Sequence, residues 1–357
     1  GDGPAQTDTP TPPVPPTPAV PPGAVAWLQV NAVPFEALDL GSGCDDLVPL
    51  LEVVGEARIV GLGEATHGTR EFYLFKARLV ECLVTEEGFN LLAMEAGWSE
   101  ANALDTVLQT GAGDPAERLA PLAGWVYNTE EVLGLMDWIR QYNQVPGASP
   151  VRLLGLDMQY VDAQVEELLA YVAAAGPSDL AATRADLECF LQNGHNPAAE
   201  PNAPLYSQVD PAVRERCLTG LLAVHNRLAG KQQAYEAASS PQAFARALRT
   251  SVMLLEAEEL FAEPVTGNQI ALRDRFMAEN AAWLLEQAGP GAKMILWGHN
   301  GHVDAAGQVW TGEEARLLGV PPGTAYAPLG ARLRATYGED YQAVGFAFGR
   351  GSFNAFG

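Results

Sequence analysis

The chain has 357 residues, of which 44 are acidic and 21 basic, giving a formal net charge of −23. That charge repels nucleic acid and anionic membrane surfaces, so nucleic-acid binding is excluded as a function. No run of about eighteen apolar residues occurs, so we expect no membrane-spanning helix. The hydrophobic fraction of 48% is ordinary for a globular protein and allows one large domain or two modest ones.

Residues 1–24 consist mainly of Pro, Thr, Ala, Val and Gly, with almost no charge. Such a composition cannot bury enough surface to fold, so we predict a disordered tether. A Pro/Thr-rich tether often follows an export signal, so we expect a periplasmic, cell-surface or extracellular protein whose signal peptide has been removed. A shortened recombinant chain is the alternative explanation, and it leaves a cytoplasmic location open.

The segment 58–72 predicts an apolar strand over 59–62, a glycine turn and a helix over 69–86. Glu64 and His67 therefore fall on the loop between strand and helix. In open α/β sheets, ligands bind at this type of loop.

Lys76 lies within the apolar stripe of the helix over 69–86. A lysine there either extends its ammonium to solvent or needs a buried anionic partner, and we count it as a site candidate. The glycine spacing before this helix imitates a phosphate-binding loop. However, Thr69 stands where the required Lys should be, so nucleotide binding is not favoured.

A second strand is predicted over 90–94 and delivers Glu95 at its carboxyl end, and a third over 151–156 ends in Asp157. Helices over 99–108 and 128–142 separate them. Strands that alternate with helices favour an α/β fold, with a mainly parallel sheet covered by helices on both faces.

From residue 163 to 288 the pattern becomes purely helical, which predicts an inserted all-helical subdomain. The α/β core then comprises 25–162 and 289–357. His195 and His225 lie within the insertion and are expected to be surface or packed residues. The predicted helices are 163–174, 179–191, 211–238, 241–262 and 268–288.

The α/β pattern returns with a strand over 293–297, which is followed by a loop containing His299 and His302. Two more short strands are predicted, one of them over 342–348.

The four cysteines show no CxxC or metal-type spacing. Cys82 lies in the first long helix and is predicted to be a small buried apolar residue. Cys189 and Cys217 fall near the facing ends of two helices, so a disulfide between them is a hypothesis for an oxidising compartment.

Three of the five histidines, His67, His299 and His302, lie on glycine-bearing loops directly after apolar strands. In one interpretation His67 takes a proton from water, a carboxylate of Glu64 or Glu95 fixes its tautomer, and His299 with Lys76 stabilises the oxyanion. A serine mechanism is disfavoured because the chain contains no Gly-x-Ser-x-Gly motif.

A second interpretation is a metal-dependent hydrolase in which His67, His299, His302 and Glu95 bind a divalent ion. The His-x-x-His spacing of 299 and 302 is weak support on its own. A third is a non-catalytic binding protein for a bulky ligand or haem.

The chain resembles the erythromycin esterase family over nearly its whole length after the tether. The first match contains Gly-Glu-Ala-Thr-His-Gly, and a later one is Trp-Gly-His-Asn-Gly-His. The matching stretches are residues 61–73, 94–98, 153–159, 273–280, 297–302 and 344–353.

This resemblance implies an α/β core with a helical insertion, and ester hydrolysis without a metal or other cofactor. It implies that His67 activates water and that Glu64, Glu95 and His299 are essential neighbours. A basic residue nine positions after the first His also contributes; here it is Lys76, whereas some macrolide-hydrolysing members carry Arg.

We therefore predict a hydrolase for a small-molecule carboxylic ester or macrolide lactone, with a role in antibiotic resistance. Arg70, His302 and Trp98 are expected to contact the substrate. The cleft should lie between the edge of the sheet and the helical insertion.

Overall fold

The computed structural model describes residues 23–194 and 204–353. The predicted tether, apart from its last two residues, and His195 lie outside these ranges. The chain divides into two compact units at Glu36, and the first contributes helix α1 (Ala24–Asn31). Within the described ranges, no helix is long and apolar enough to cross a bilayer.

The second unit is built on a five-stranded sheet in which every pair of neighbours is parallel, with the order β3-β2-β4-β1-β7. A separate antiparallel pair is formed by β5 and β6. The strands are β1 (Ile59–Leu62), β2 (Leu91–Gly97), β3 (Arg152–Asp157), β4 (Met294–Trp297), β5 (Gln308–Trp310), β6 (Thr324–Tyr326) and β7 (Tyr341–Val344).

Helices cover both faces of this sheet, and six of them, α7 to α12, follow β3 and precede β4. The predicted α/β fold with a parallel sheet and an all-helical insertion is confirmed. The remaining helices are α2 (Val48–Val54), α3 (Arg70–Thr85), α4 (Trp98–Thr110), α5 (Pro115–Leu119), α6 (Glu130–Asn143), α7 (Val161–Ala175), α8 (Leu180–Asn193), α9 (Pro211–Gly230), α10 (Gln232–Ala238), α11 (Pro241–Ala262), α12 (Gly267–Ala288), α13 (Asn300–Val303), α14 (Gly312–Leu317) and α15 (Leu329–Tyr337).

Alternating residues of each central strand enter two different hydrophobic cores. In β4, Met294 and Leu296 belong to the core formed with the helical insertion, while Ile295 and Trp297 belong to the core formed with α3 and α6. This division follows from the two-residue period of a strand. Because both faces are buried, β1 and β4 are apolar at every position, and polar groups follow where these strands end.

One predicted helix and the last predicted strand differ from the structure. The single helix expected over 211–238 is divided at Lys231, which leaves helical geometry and pairs with Asp179. The last strand ends at Val344 rather than at 348. Beyond it, the main chain of Phe346 bonds with the side-chain amide of Asn300 instead of continuing along the sheet.

Two disulfides are present, Cys44–Cys82 and Cys189–Cys217. The proposed bridge between Cys189 and Cys217 therefore forms. Cys82 is buried, as predicted, but its bridge was not foreseen: the irregular segment before α2 passes over α3 and brings Cys44 to it. The guanidinium of Arg78 binds the same segment through the carbonyl oxygens of Ala37 and Gly43.

Thiol titration tests both bridges. We expect no free thiols in the denatured protein before reduction and four after it, since the chain contains four cysteines. Replacing Cys44 and Cys82 together by Ala should lower the free energy of unfolding by about 3–4 kcal/mol, because the bridge restricts the unfolded chain. The Cys189/Cys217 double variant, which removes the other bridge, is the matched control for the unfolding measurement. In the thiol titration, four free thiols before reduction would contradict the structure.

Candidate active site

The polar residues predicted from sequence gather at the carboxyl edge of the sheet. Glu64 and His67 lie between β1 and α3, Glu95 lies in β2, and His299 and His302 follow β4. Parallel strands present their carboxyl ends on one side, which explains why residues so distant in sequence meet here.

His67, Glu64 and Lys76 form a hydrogen-bonded chain. Nδ1 of His67 lies 2.7 Å from Oε1 of Glu64, and Nζ of Lys76 lies 2.7 Å from Oε2 of the same carboxylate. Because the carboxylate accepts from Nδ1–H, the lone pair of the neutral ring is on Nε2. The His67 side chain is 32% exposed, whereas Glu64 and Lys76 are fully buried. The arrangement presents a basic nitrogen at the surface with a carboxylate behind it.

Lys76 does not extend to solvent. Its ammonium bonds to Glu64 and lies 4.2 Å from the ring centroid of Trp297, in a cation–π contact. Burial lowers the pKa of Lys76 to about 8, against the opposing effect of Glu64. Since the ammonium is buried behind Glu64, stabilisation of an oxyanion by Lys76 stays a prediction that this position does not support.

Glu95 connects β2 to the loop after β4. The strand runs to Gly97 instead of ending at Met94, and a register shift between Met94 and Gly97 interrupts its pairing with β3. Such irregularities redirect side chains at sheet edges. Oε2 of Glu95 accepts from the main-chain N–H of His299 at 2.9 Å.

The His299 ring lies beside His67, with 5.4 Å between the ring centroids. Its Nδ1 accepts from the N–H of Gly301 at 3.1 Å, so the proton of the neutral ring is on Nε2, 3.3 Å from the carbonyl oxygen of Ala65. Burial, and then the neighbouring His67, lowers the pKa of His299. A neutral imidazole whose N–H faces the Ala65 carbonyl oxygen thus lies beside the His67 ring.

His302 is held between two carboxylates. Nδ1 lies 2.7 Å from Oδ1 of Asp274, and Nε2 lies 3.2 Å from Oε1 of Glu95. Burial opposes protonation, but these carboxylates raise the pKa of His302 to about 10. Burial likewise disfavours the ionised form of Glu95, yet the charges of His302 and Arg273 hold the pKa of Glu95 well below its usual range.

Sequence reasoning missed Arg273, Asp274 and the role of Asp157. Arg273 donates through Nη2 to Glu95 Oε1 at 2.9 Å and to Asp157 Oδ2 at 2.7 Å. Two sequence features could have indicated these residues, namely the strand that ends in Asp157 and the family-matching stretch that begins at Arg273. Neither feature shows in which direction the side chain of a helical residue points.

A cleft of about 380 Å³ opens beside His67. Arg70 lies in its wall with its side chain 66% exposed, and its Nε donates to Oε1 of Glu131 at 2.7 Å. Other parts of the wall come from the segment before α6, namely Trp125, Val126, Asn128 and Thr129. The described lining thus lies on the side of α3 and α6 and not on that of the helical insertion, so the predicted position of the cleft is wrong.

Trp98, expected to contact substrate, is packed in the core instead. It is 1% exposed, and its Nε1 donates to Oγ1 of Thr250 at 3.0 Å. The guanidinium of Arg246 lies 4.4 Å from its ring centroid. The role of Trp98 in binding substrate stays a prediction that this burial does not support.

His225 contacts Oγ of Ser251 at 3.0 Å, within the insertion.

The metal interpretation depends on donors that converge. Across residues 23–194 and 204–353, no group of three His, Cys, Asp or Glu side chains is arranged to hold a metal ion. The imidazoles of His299 and His302 are instead engaged with a main-chain amide and with carboxylates.

The fold and site define an α/β protein with a histidine–carboxylate centre at the carboxyl edge of a parallel sheet. The chain belongs to the erythromycin esterase family, whose sequence profile, described as Erythromycin esterase, matches residues 84–356. The predicted resemblance is confirmed. The matched region begins after the segment that carries Glu64, His67 and Lys76.

Individual relatives extend this comparison. The chain is 26% identical over 286 residues to "Putative hydrolase YbfO" of Bacillus subtilis (strain 168), covering 78% of this chain and 63% of that protein. It thus spans less than two thirds of that relative. It is 22% identical over 333 residues to "Erythromycin esterase type II" of Escherichia coli, covering 89% of this chain and 75% of that protein.

A solved structure shares the fold. A mutant of the erythromycin esterase EreC in its open conformation superposes with a TM-score of 0.64 at 22% identity, over 85% of this chain and 73% of that chain. At this identity the likeness concerns the fold alone.

Lys76→Met should destabilise the protein by about 3–5 kcal/mol in urea unfolding, since it leaves the buried Glu64 carboxylate without its ammonium partner. A second variant, Glu64→Gln with Lys76→Met, should recover part of that loss because no buried charge remains. Lys231→Met is the matched control. Its ammonium pairs with Asp179 but the side chain is half exposed, so the cost should be about 1 kcal/mol or less. Equal costs for Lys76 and Lys231 would contradict the buried pair.

Proposed function

We propose that the protein hydrolyses a carboxylic ester or a macrolide lactone, with water activated by His67 as the nucleophile. The observation that carries this proposal is the 2.7 Å contact between His67 Nδ1 and the buried Glu64 carboxylate. That contact selects the tautomer in which Nε2 accepts a proton, at the wall of a cleft that is open to a small molecule.

The proposed reaction follows from these positions. A water molecule gives a proton to Nε2 of His67 while its oxygen adds to the ester carbonyl carbon. Glu64 stabilises the imidazolium that forms, and Lys76 balances the charge of Glu64. The Nε2–H of His299, whose ring lies beside His67, turns from the carbonyl oxygen of Ala65 to donate to the developing oxyanion. The carbon–oxygen bond to the alkoxy group then breaks, and the imidazolium returns its proton to the leaving oxygen.

The proposed substrate class is a bulky ester or lactone, with macrolide inactivation as the biological role. A cleft of about 380 Å³ with both apolar and polar walls supports a small-molecule substrate of this kind. Similarity to the Escherichia coli erythromycin esterase points to a macrolide. We also propose that the protein is exported, and two disulfides support an oxidising compartment.

His67→Ala should reduce turnover about 100-fold or more without unfolding the protein, given the usual contribution of a general base. Erythromycin, a panel of lactones and aryl esters are each incubated with the protein, with and without chelator. Mass spectrometry then detects the addition of one water to the compound. His225→Ala is the matched control, because His225 contacts Ser251 within the helical insertion.

The outcomes of that experiment separate the alternatives. Turnover that depends on His67 and is unchanged by chelator supports the proposal. Hydrolysis of simple esters alone supports the mechanism but indicates a substrate other than a macrolide. Loss of turnover with chelator, restored by zinc or manganese, favours a metal-dependent hydrolase. Tight retention of a ligand without turnover favours a binding protein. Full activity in His67→Ala contradicts the mechanism.

Turnover should fall as the pH rises through about 8, because burial lowers the pKa of Lys76 to about 8 and its ammonium is charged only below that pH. Lys76→Arg should move this alkaline decline upward by about one unit or more, since a guanidinium stays charged. The measurement is kcat against pH. Lys293→Arg is the control, because Lys293 donates to the carbonyl oxygen of Glu87. An alkaline decline at the same pH in Lys76→Arg would contradict the assignment.

A further inference from the structure

One guanidinium joins three parts of the candidate site that are far apart in sequence. Arg273, on α12, donates to Glu95 in β2 at 2.9 Å and to Asp157 at the end of β3 at 2.7 Å through Nη2 and 3.1 Å through Nε. Its Nη1 lies 3.1 Å from Nε2 of His302. The side chain is 18% exposed, so these contacts are largely shielded from water.

The carboxylate of Glu95 is fixed at both oxygens. Oε1 faces Arg273 and His302, and Oε2 accepts from the main-chain N–H of His299. The carboxylate of Glu95 therefore restrains the main chain at His299, where the loop after β4 begins. That loop places the His299 ring beside His67.

Charge gives a second reason for Arg273 at this point. Glu95 and Asp157 are both largely buried, and both face the same guanidinium nitrogen. Without the arginine, two carboxylates would confront each other away from water, which favours protonation of one of them. A protonated Glu95 would be a weaker acceptor for the His299 amide.

We propose that Arg273 is a positioning residue for the hydrolysis reaction, holding the Glu95 carboxylate ionised and in the orientation that fixes the His299 loop. It acts through Glu95 and does not touch the substrate. The kinetic part of this inference rests on the proposed function, whereas the positioning part concerns Glu95 and His299 alone.

Several charged or titratable groups surround Glu95 and will influence its titration. Arg273 comes from α12, Asp157 from β3, and His302 from α13. Further titratable groups interact with Glu95 through charge, so that one alters the pKa of the other: His67, Tyr73, Lys76, Tyr127, Tyr160, His299 and Tyr326. His302 and Arg273 bring positive charge to Oε1 and His67 acts in the same direction, so loss of Arg273 should raise the pKa of Glu95.

The test compares Arg273→Gln with Arg249→Gln. Arg249 is a matched control from α11, because its side chain is as buried and pairs with Glu256 and Asn280. Selective ¹⁵N-histidine labelling gives at most five backbone amide signals, one for each histidine. The signal of His299 is followed against pH, and kcat and KM are measured on a hydrolysed ester over the same range.

In Arg273→Gln, the His299 amide signal should shift and should titrate at a higher pH than in the wild type. The acid limb of kcat should move upward by about one pH unit or more. At its optimum, kcat should fall about 10- to 100-fold through loss of orientation, with KM little changed. Arg249→Gln should leave the His299 signal and the pH profile of kcat where they are.

The outcomes distinguish this inference from the proposed function. An unchanged His299 titration in Arg273→Gln overturns the positioning role, even where kcat falls. A changed titration in a protein without esterase turnover supports the positioning role and overturns the proposed function. Where Arg273→Gln does not fold, Arg273→Lys carries the test. One ammonium cannot match the guanidinium's contacts, so wild-type signals and kcat in Arg273→Lys would overturn the inference.

Discussion

The site depends on a lysine ammonium and a glutamate carboxylate that share a space without water. Neither charge is tolerable there alone, because removing an ion from water costs several kcal/mol. Lys76 and Glu64 offset this cost through their contact, and Trp297 adds a cation–π interaction to the ammonium. The remaining oxygen of Glu64 is then committed to His67. A buried ion pair thus sets the tautomer of a partly exposed ring.

The other half of the site has a different origin. Glu64, His67 and Lys76 are neighbours in sequence, whereas Glu95, Asp157, Arg273 and His302 come from separate elements. Only the parallel arrangement of β2, β3 and β4 brings these together, with α12 supplying the arginine. The first half is therefore a local motif of strand, loop and helix, and the second half is a product of the tertiary fold.

This difference explains what sequence reasoning could and could not predict. Apolar strands that end in polar loops identified Glu64, His67, Glu95 and His299, because the end of a buried strand is where a polar group can stand. Arg273 was missed because the direction of a helical side chain depends on how the helix packs. The Cys44–Cys82 bridge was missed because an irregular segment has no periodic pattern that could place it. The last strand was predicted too long because the amide of Asn300 replaces its sheet partner.

The order of the strands has a consequence for how the site comes into being. The strand β4 lies between β1 and β2, although it follows both of them and the whole helical insertion in the chain. The strands β1 and β2 do not pair with each other, so they become part of one sheet only when β4 has been synthesised and pairs with both. A ribosome product that stops before Met294 carries Glu64, His67 and Glu95 but lacks the strand that brings them side by side. Assembly of the candidate site thus depends on a long-range contact that only a nearly complete chain can make.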